Sequence, residues 1–125
     1  MTPASALLVA VAGACGTALR FAAGWGLQRW LGPDYPFGTL TVNVIGSGLL
    51  GAIAEGMARQ TVLGVDARMV LGVGLLGGFT TYSSFNLEVY RMLEQGAWLR
   101  ATGYFVLTTA GCLLAGWIGV VLARR

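Results

Sequence analysis

Long apolar runs alternate with short polar breaks along this chain. Four runs, at about residues 4–27, 38–57, 68–93 and 97–122, each reach the roughly 20 residues that a bilayer-spanning helix needs. The third run is unlike the others. Val70-Leu71-Gly72-Val73-Gly74-Leu75-Leu76 reads as membrane helix, but Gly77-Gly78-Phe79-Thr80-Thr81-Tyr82-Ser83-Ser84-Phe85-Asn86 follows it directly. Paired glycines are poor helix formers. Hydroxyls, a phenol and phenyl rings bring nothing to a lipid-facing surface. In hydrocarbon, irregular backbone persists only where protein buries it or water reaches it. The pattern predicts an all-α integral membrane protein: four transmembrane helices in one domain over 1–125, the third broken near mid-membrane with its polar groups turned toward a pathway.

Composition narrows the reading. Hydrophobic residues make up 56% and charged residues 10% of the 125 positions, against roughly 25% charged in a soluble domain. Four spans with short connections leave little chain for an extramembrane active site. The first span starts at once, so no signal peptide is expected. No His is present, which removes the commonest proton shuttle and metal ligand. Cys15 and Cys112 both fall in apolar runs and read as small hydrophobes. The positive charge is carried by Arg alone, with no basic run of the kind that binds nucleic acid.

Within the spans, a few polar residues stand out. Thr2 and Pro3 suit a helix start. Ala12, Gly13 and Gly16 form a small-residue surface for close helix contact. Arg20, near the far end of span one, reads equally as an interface anchor and as a fixed charge at the mouth of an anion path. The connection Gln28–Phe37 carries a Gly32-Pro33-Asp34 turn signal, and Trp30 and Tyr35 suit an aromatic belt. In span two, Thr39, Asn43, Gly46 and Ser47 share a face. Buried amides are costly unless hydrogen-bonded, so Asn43 either ties two helices together or donates to an anion. Glu55 is expected at the interface, and a polar loop carries Arg59 and Asp66. Glu88 and Arg91 have the spacing of a helix-surface ion pair, with a vestibule role as the alternative. In span four, Tyr104, Thr108 and Cys112 recur every four residues with Thr109 beside them. That is either a polar track or a set of hydroxyls bonded back to i−4 carbonyls.

Four spans place both termini on one side. Arg59, Arg68, Arg124 and Arg125 then face Arg29, Arg91, Arg100 and nearby Arg20 across the membrane. The positive-inside bias that sets orientation is close to zero. Insertion both ways up follows, and with it a head-to-tail pair of the kind seen in inverted repeats. Eight helices also enclose a hydrated path more readily than four.

The segments Gly77–Phe85 and Gly38–Ser47, with Gly16, Arg20 and Phe21 at the end of span one, resemble the fluoride channel family (Fluc, also called CrcB) over essentially the whole chain. That resemblance implies an antiparallel, dual-topology homodimer in the prokaryotic inner membrane, passing fluoride passively outward and lowering its toxicity. It implies a structural sodium ion at the dimer centre on the carbonyls of Gly77 and Thr80. It implies a fluoride path along Asn43, Tyr82 and Phe85, with a span-four polar track of Tyr104, Thr108 and Cys112. Thr39, Ser83, Ser84 and Arg20 complete the candidate path. Tyr82 stands where the family motif has Phe, and Cys112 where a hydroxyl is expected. The chemistry suits the ion: fluoride is tightly hydrated, hydroxyl and amide donors can replace its water, and an aromatic edge is electropositive. A four-helix multidrug exporter is the nearest rival, but that mechanism needs a carboxylate in span one, where this chain has Arg20. A non-transporting assembly protein would need no broken span. No nucleophile–base pair or cofactor loop suggests an enzyme.

Overall fold

The computed structural model describes residues 2–125. Helix α1 spans Pro3–Leu31, α2 Phe37–Gly56, and α5 Trp98–Ala123. These three are long and apolar enough to cross a membrane, which makes the chain an all-α membrane protein. Between α2 and α5 lie a small hairpin, β1 (Thr61–Val62) with β2 (Val65–Asp66), and a π-helical segment Arg68–Leu76. One α-helical turn, α3 (Gly77–Phe79), follows that segment, and α4 (Tyr82–Glu94) precedes α5.

The start of α1 follows the sequence. Thr2 Oγ1 accepts from the Ser5 N–H at 3.1 Å, and Ser5 Oγ accepts from the Thr2 N–H at 2.9 Å. This reciprocal capping box satisfies two otherwise orphaned donors. The far end runs a turn further than the pattern suggested, to Leu31 rather than Leu27. Nothing in Gln28–Leu31 opposes a helix, and Arg29 stacks over the Trp25 ring at 4.9 Å. Gly32, at φ 89°, and Pro33 stop it. Trp30 is largely exposed, as a belt residue should be. Tyr35 instead turns inward, packing edge-on against Tyr104 with ring centroids 5.5 Å apart.

Helix association rests on small residues. Along the α2–α5 contact, a Cβ placed on Gly119 would collide with the Gly48 carbonyl, and one on Gly51 with the Gly116 carbonyl. The expected surface of Ala12, Gly13 and Gly16 meets the third run in the same way. Gly16 lies against the Leu75 carbonyl and the Phe79 amide, and Gly78 against the Gly13 carbonyl. Lipid tails are as apolar as leucine, so close backbone approach and dispersion replace the hydrophobic effect here. A buried cluster of Phe85, Met92, Ala101 and Tyr104 joins α4 to α5.

The third run breaks, but not at its glycines. Gly77 and Gly78 are helical. Thr80 (φ −87°, ψ 158°) and Thr81 (φ −152°, ψ 114°) are extended, and the chain becomes helical again at Tyr82. Two features carried no signal in the hydrophobic pattern. One is the π-helix, in which the Gly77 N–H points to the Gly72 carbonyl five residues back. The other is the hairpin, where a plain loop was expected. Asp66 accepts from the Arg68 N–H and is bridged by its guanidinium at 2.8 Å. The guanidinium and amide donors hold the Asp66 carboxyl below the usual carboxylate range. This contact is therefore complete at neutral pH, and it is lost only as the pH falls below the ordinary carboxylate range.

Replacing Gly119 by Val should destabilise the chain by about 1–3 kcal/mol through overpacking, lowering the thermal midpoint in detergent. Gly103→Ala is the control, because a Cβ there meets nothing within 4 Å. A midpoint for Gly119→Val as high as that control would contradict the packing described.

Candidate functional site

Breaking a helix inside an apolar bundle strands backbone groups that must find partners elsewhere. Four side chains supply them. The Asn43 amide pairs with the Thr81 backbone on both edges: the Thr81 N–H donates to Oδ1 at 2.7 Å, and Nδ2 donates to the Thr81 carbonyl at 3.0 Å. Arg20 Nε donates to the Gly78 carbonyl at 3.1 Å. Thr80 Oγ1 donates to the Leu76 carbonyl at 2.9 Å. Thr81 Oγ1 accepts from the Ser84 N–H at 3.2 Å, capping α4. Gly46 makes this approach sterically possible, because a Cβ there would overlap the Thr80 methyl.

Two carbonyls are left over. The Thr81 N–H that would close on Gly77 O in a continuous helix goes to Asn43, and the Ser84 N–H that would close on Thr80 O goes to Thr81 Oγ1. Neither oxygen takes a turn or cap hydrogen bond from a backbone N–H.

A second polar assembly lies one helix turn further along α4. Glu88 does not pair with Arg91, contrary to the ion pair expected from their spacing. Its Oε1 accepts from Thr39 Oγ1 at 2.7 Å and its Oε2 from Tyr104 Oη at 2.7 Å. The carboxylate thus joins α2, α4 and α5 through two neutral hydroxyls, because the α4 face that carries it turns inward. Arg91 is exposed and lines an open cleft of about 590 Å³ together with Asp34, Gln95 and Arg100, a cleft that also reaches Thr39 and Glu88. Glu55, by contrast, reaches the surface as expected and pairs with Arg124 at 3.0 Å.

The candidate residues divide between two clefts, each of about 360 Å³, that share Thr81 in their lining. One gathers Asn43, Thr80, Tyr82, Phe85, Thr108 and Cys112, with Ser47 and Thr109. The other gathers Arg20, Thr39, Thr81, Ser84 and Glu88. Ser83 is exposed and lines neither, and Tyr104 is fully buried behind both. In the first cleft, Phe85 is buried with its ring centroid 5.7 Å from that of Tyr82, which is 75% exposed. Thr108 is buried; its hydroxyl makes no hydrogen bond of good geometry, with the Tyr104 hydroxyl one turn back as its neighbour. Asn43 uses one amide hydrogen on Thr81 and keeps the other. Arg20 is neither free in a funnel nor at the surface: its Nε holds the broken backbone while its guanidinium borders the second cleft.

Sequence reasoning missed the bridging role of Glu88 and the part played by Gly46. The signal for Glu88 was its isolation: it is the one acid in the stretch between the break and Arg91.

Residues 7–120 match the model of the family described as CrcB-like protein, Camphor Resistance (CrcB). A protein of Sorangium cellulosum is 45% identical over 117 residues, covering 94% of this chain and 92% of its own length. One from Phenylobacterium zucineum is 42% identical over 120 residues, with 95% and 94% covered. A third, from Anaeromyxobacter sp. (strain K), is 43% identical over 119 residues, with 94% of each covered. All three are named fluoride-specific ion channel FluC. The chain belongs to the CrcB family.

Asn43→Ala removes both clamps on Thr81. One lost amide bond costs about 1 kcal/mol or more when its partner stays buried, so hydrogen exchange at the Thr81 amide should speed up by roughly fivefold or more. Unchanged exchange at Thr81 would mean that Asn43 does not hold the break.

Proposed function

We propose that the chain forms a fluoride channel of the prokaryotic cell membrane, in which two antiparallel copies pass fluoride outward down its gradient and so keep its cytoplasmic level low. The observation that carries this reading is the first cleft. On a chain otherwise surfaced with apolar side chains, Asn43, Ser47, Thr80, Thr108 and Thr109 open onto a face that lipid would not solvate. The name borne by the relatives supplies the ion.

Physical chemistry supports the match. Small, strongly hydrated fluoride needs donors placed in advance of its arrival. The unpaired Thr108 hydroxyl and the second Asn43 N–H are such donors, and the Phe85 and Tyr82 ring edges are weakly attractive to an anion. Many modest sites in a row allow both entry and release. The second cleft sets the Arg20 guanidinium opposite the Glu88 carboxylate and adds the Ser84 hydroxyl, while the Thr39 hydroxyl is already given to Glu88. Its carboxylate, Glu88, is already occupied by two hydroxyls and so competes less for a passing ion's donors. Tyr104 and Cys112 border this system rather than facing an ion directly, and Ser83 is a surface neighbour of the α4 cap.

Pairing supports the reading as well. A second copy related by a two-fold axis in the membrane plane would cover the exposed Gly77 and close the first cleft. Near-equal arginine counts at the two ends favour insertion both ways up. The carbonyls of Gly77 and Thr80, free of helix partners, would hold a structural sodium ion, since hard cations take oxygen ligands. Its charge would offset part of the cost of burying an anion nearby.

The test is fluoride efflux from proteoliposomes, followed with a fluoride-selective electrode. The wild-type chain should empty vesicles of fluoride and retain chloride. Thr108→Val keeps the shape and removes one hydroxyl, so the protein should fold normally. Loss of one hydrogen bond to a charged ion, about 1.5–3 kcal/mol, predicts a drop of roughly 10- to 100-fold in efflux rate. Phe85→Ile should also slow efflux. No efflux from the wild type sinks the channel reading, and wild-type rates in Thr108→Val remove that cleft from the path.

A further inference from the structure

Tyr35 lies in the connection between α1 and α2, yet its ring packs against the buried cluster of Phe85, Met92, Ala101 and Tyr104. Its backbone is held close to one shape. Pro36 disfavours helical geometry at the residue before it, and the Phe37 N–H donates to the Tyr35 carbonyl at 2.8 Å. The ring meets that of Tyr104 nearly edge-on, at 83° with centroids 5.5 Å apart. The Arg100 guanidinium lies over the Tyr35 ring, 5.6 Å from its centroid. Aromatic pairs favour the perpendicular arrangement, and a cation favours a ring face. Tyr35 is thus clamped between the first turn of α5 and the Tyr104 ring.

Tyr104 stands behind both candidate clefts and is fully buried. Its hydroxyl donates to Glu88 Oε2 at 2.7 Å, and its ring centroid is 5.3 Å from that of Phe85. Glu88 lines the second cleft and Phe85 the first. A tilt of this one ring would therefore move a group in each. Tyr35 lines the open cleft of about 590 Å³, whereas Tyr104 behind it does not. Without the Tyr35 ring, water in that cleft would reach the Tyr104 hydroxyl and compete with it for Glu88.

We propose that Tyr35 is a positioning residue of the ion path. From the α1–α2 connection it holds the Tyr104 ring, and through that ring it fixes the Phe85 edge and the Glu88 carboxylate. Arg100 keeps Tyr35 seated from the outside. The effect on transport rests on the channel reading above; the hold on Tyr104 does not.

Protein labelled with meta-fluorotyrosine and read by fluorine NMR in bicelles tests this. The chain has four tyrosines, and the Tyr104 resonance is the one missing from Tyr104→Phe. In the wild type its position should be the same in ordinary and heavy water, as a ring closed off from solvent requires. Tyr35→Leu should make that resonance solvent-sensitive and slow fluoride efflux from proteoliposomes by roughly fivefold or more. Tyr35→Phe keeps the ring and should restore both readings. Arg100→Gln, at an exposed position, should shift both in the same direction as Tyr35→Leu, efflux by roughly twofold. It decides the matter if Tyr35→Leu does not fold. A Tyr104 resonance that neither Tyr35→Leu nor Arg100→Gln alters overturns the proposal. So does wild-type efflux in Tyr35→Leu, or slowed efflux in Tyr35→Phe. A wild type without efflux sinks the channel reading instead, and the Tyr104 resonance then still shows whether Tyr35 holds that ring.

Discussion

The constraint from which the rest of this structure follows is the need to satisfy two residues of extended backbone inside an apolar bundle. Thr80 and Thr81 leave the helix, and the polar groups they release need partners from other parts of the chain. Asn43 matches the Thr81 peptide edge for edge, as a neighbouring strand would. Arg20 takes the Gly78 carbonyl and Thr81 caps the helix that follows. These contacts come from α1, from α2 and from the break itself, so the break is a junction rather than a defect. The groups left unpaired, the oxygens of Gly77 and Thr80 and the hydroxyl of Thr108, are the ones through which the chain can address something other than itself.

Glycine makes that junction geometrically possible. Gly16 and Gly78 bring α1 against the third run at backbone distance, and Gly46 admits the Thr80 methyl. Without those absences of Cβ, Arg20 and Asn43 would stand too far away to reach the carbonyls they hold. The polar function and the small-residue packing are thus one design: the first needs the second to bring donors within hydrogen-bond range. On the far side, Glu88 binds Thr39 and Tyr104 and ties α4 to its neighbours through neutral hydroxyls. A salt bridge there would have left a neutralised, rigid pair. Hydroxyl partners leave a carboxylate whose charge still shapes the second cleft.

Much of this was legible in the sequence, for identifiable reasons. Three apolar runs of membrane length, the Thr2-Pro3 start and the Ala12–Gly16 surface depend on local pattern, and the structure follows them. That the third run breaks was visible in its sudden polarity, while the position of the break was not. Propensity pointed to Gly77-Gly78, but both remain helical because their missing side chains are used for contact with α1 instead. The break moves to Thr80–Thr81, where hydroxyls can stand in for lost helix bonds. Spacing misassigned Glu88, since i,i+3 geometry says nothing about which face of α4 turns inward. It left Asn43 and Arg20 with two roles each because partners 38 and 58 residues away are set by tertiary packing. The π-helix and the hairpin have no periodic signature at all.

The π-helical segment has a further consequence for how this chain can vary. Its wider coil advances fewer degrees and less height per residue than an α-helix, so the number of residues between Arg68 and Thr80 works as a gear ratio. It determines which compass direction the freed oxygens point when the coil ends. A single-residue insertion or loss upstream would leave the hydropathy profile untouched, yet swing Thr80 away from the niche at Gly46. Length across this interval should therefore be far less forgiving than side-chain identity, a rigidity that no reading of amphipathic pattern would disclose.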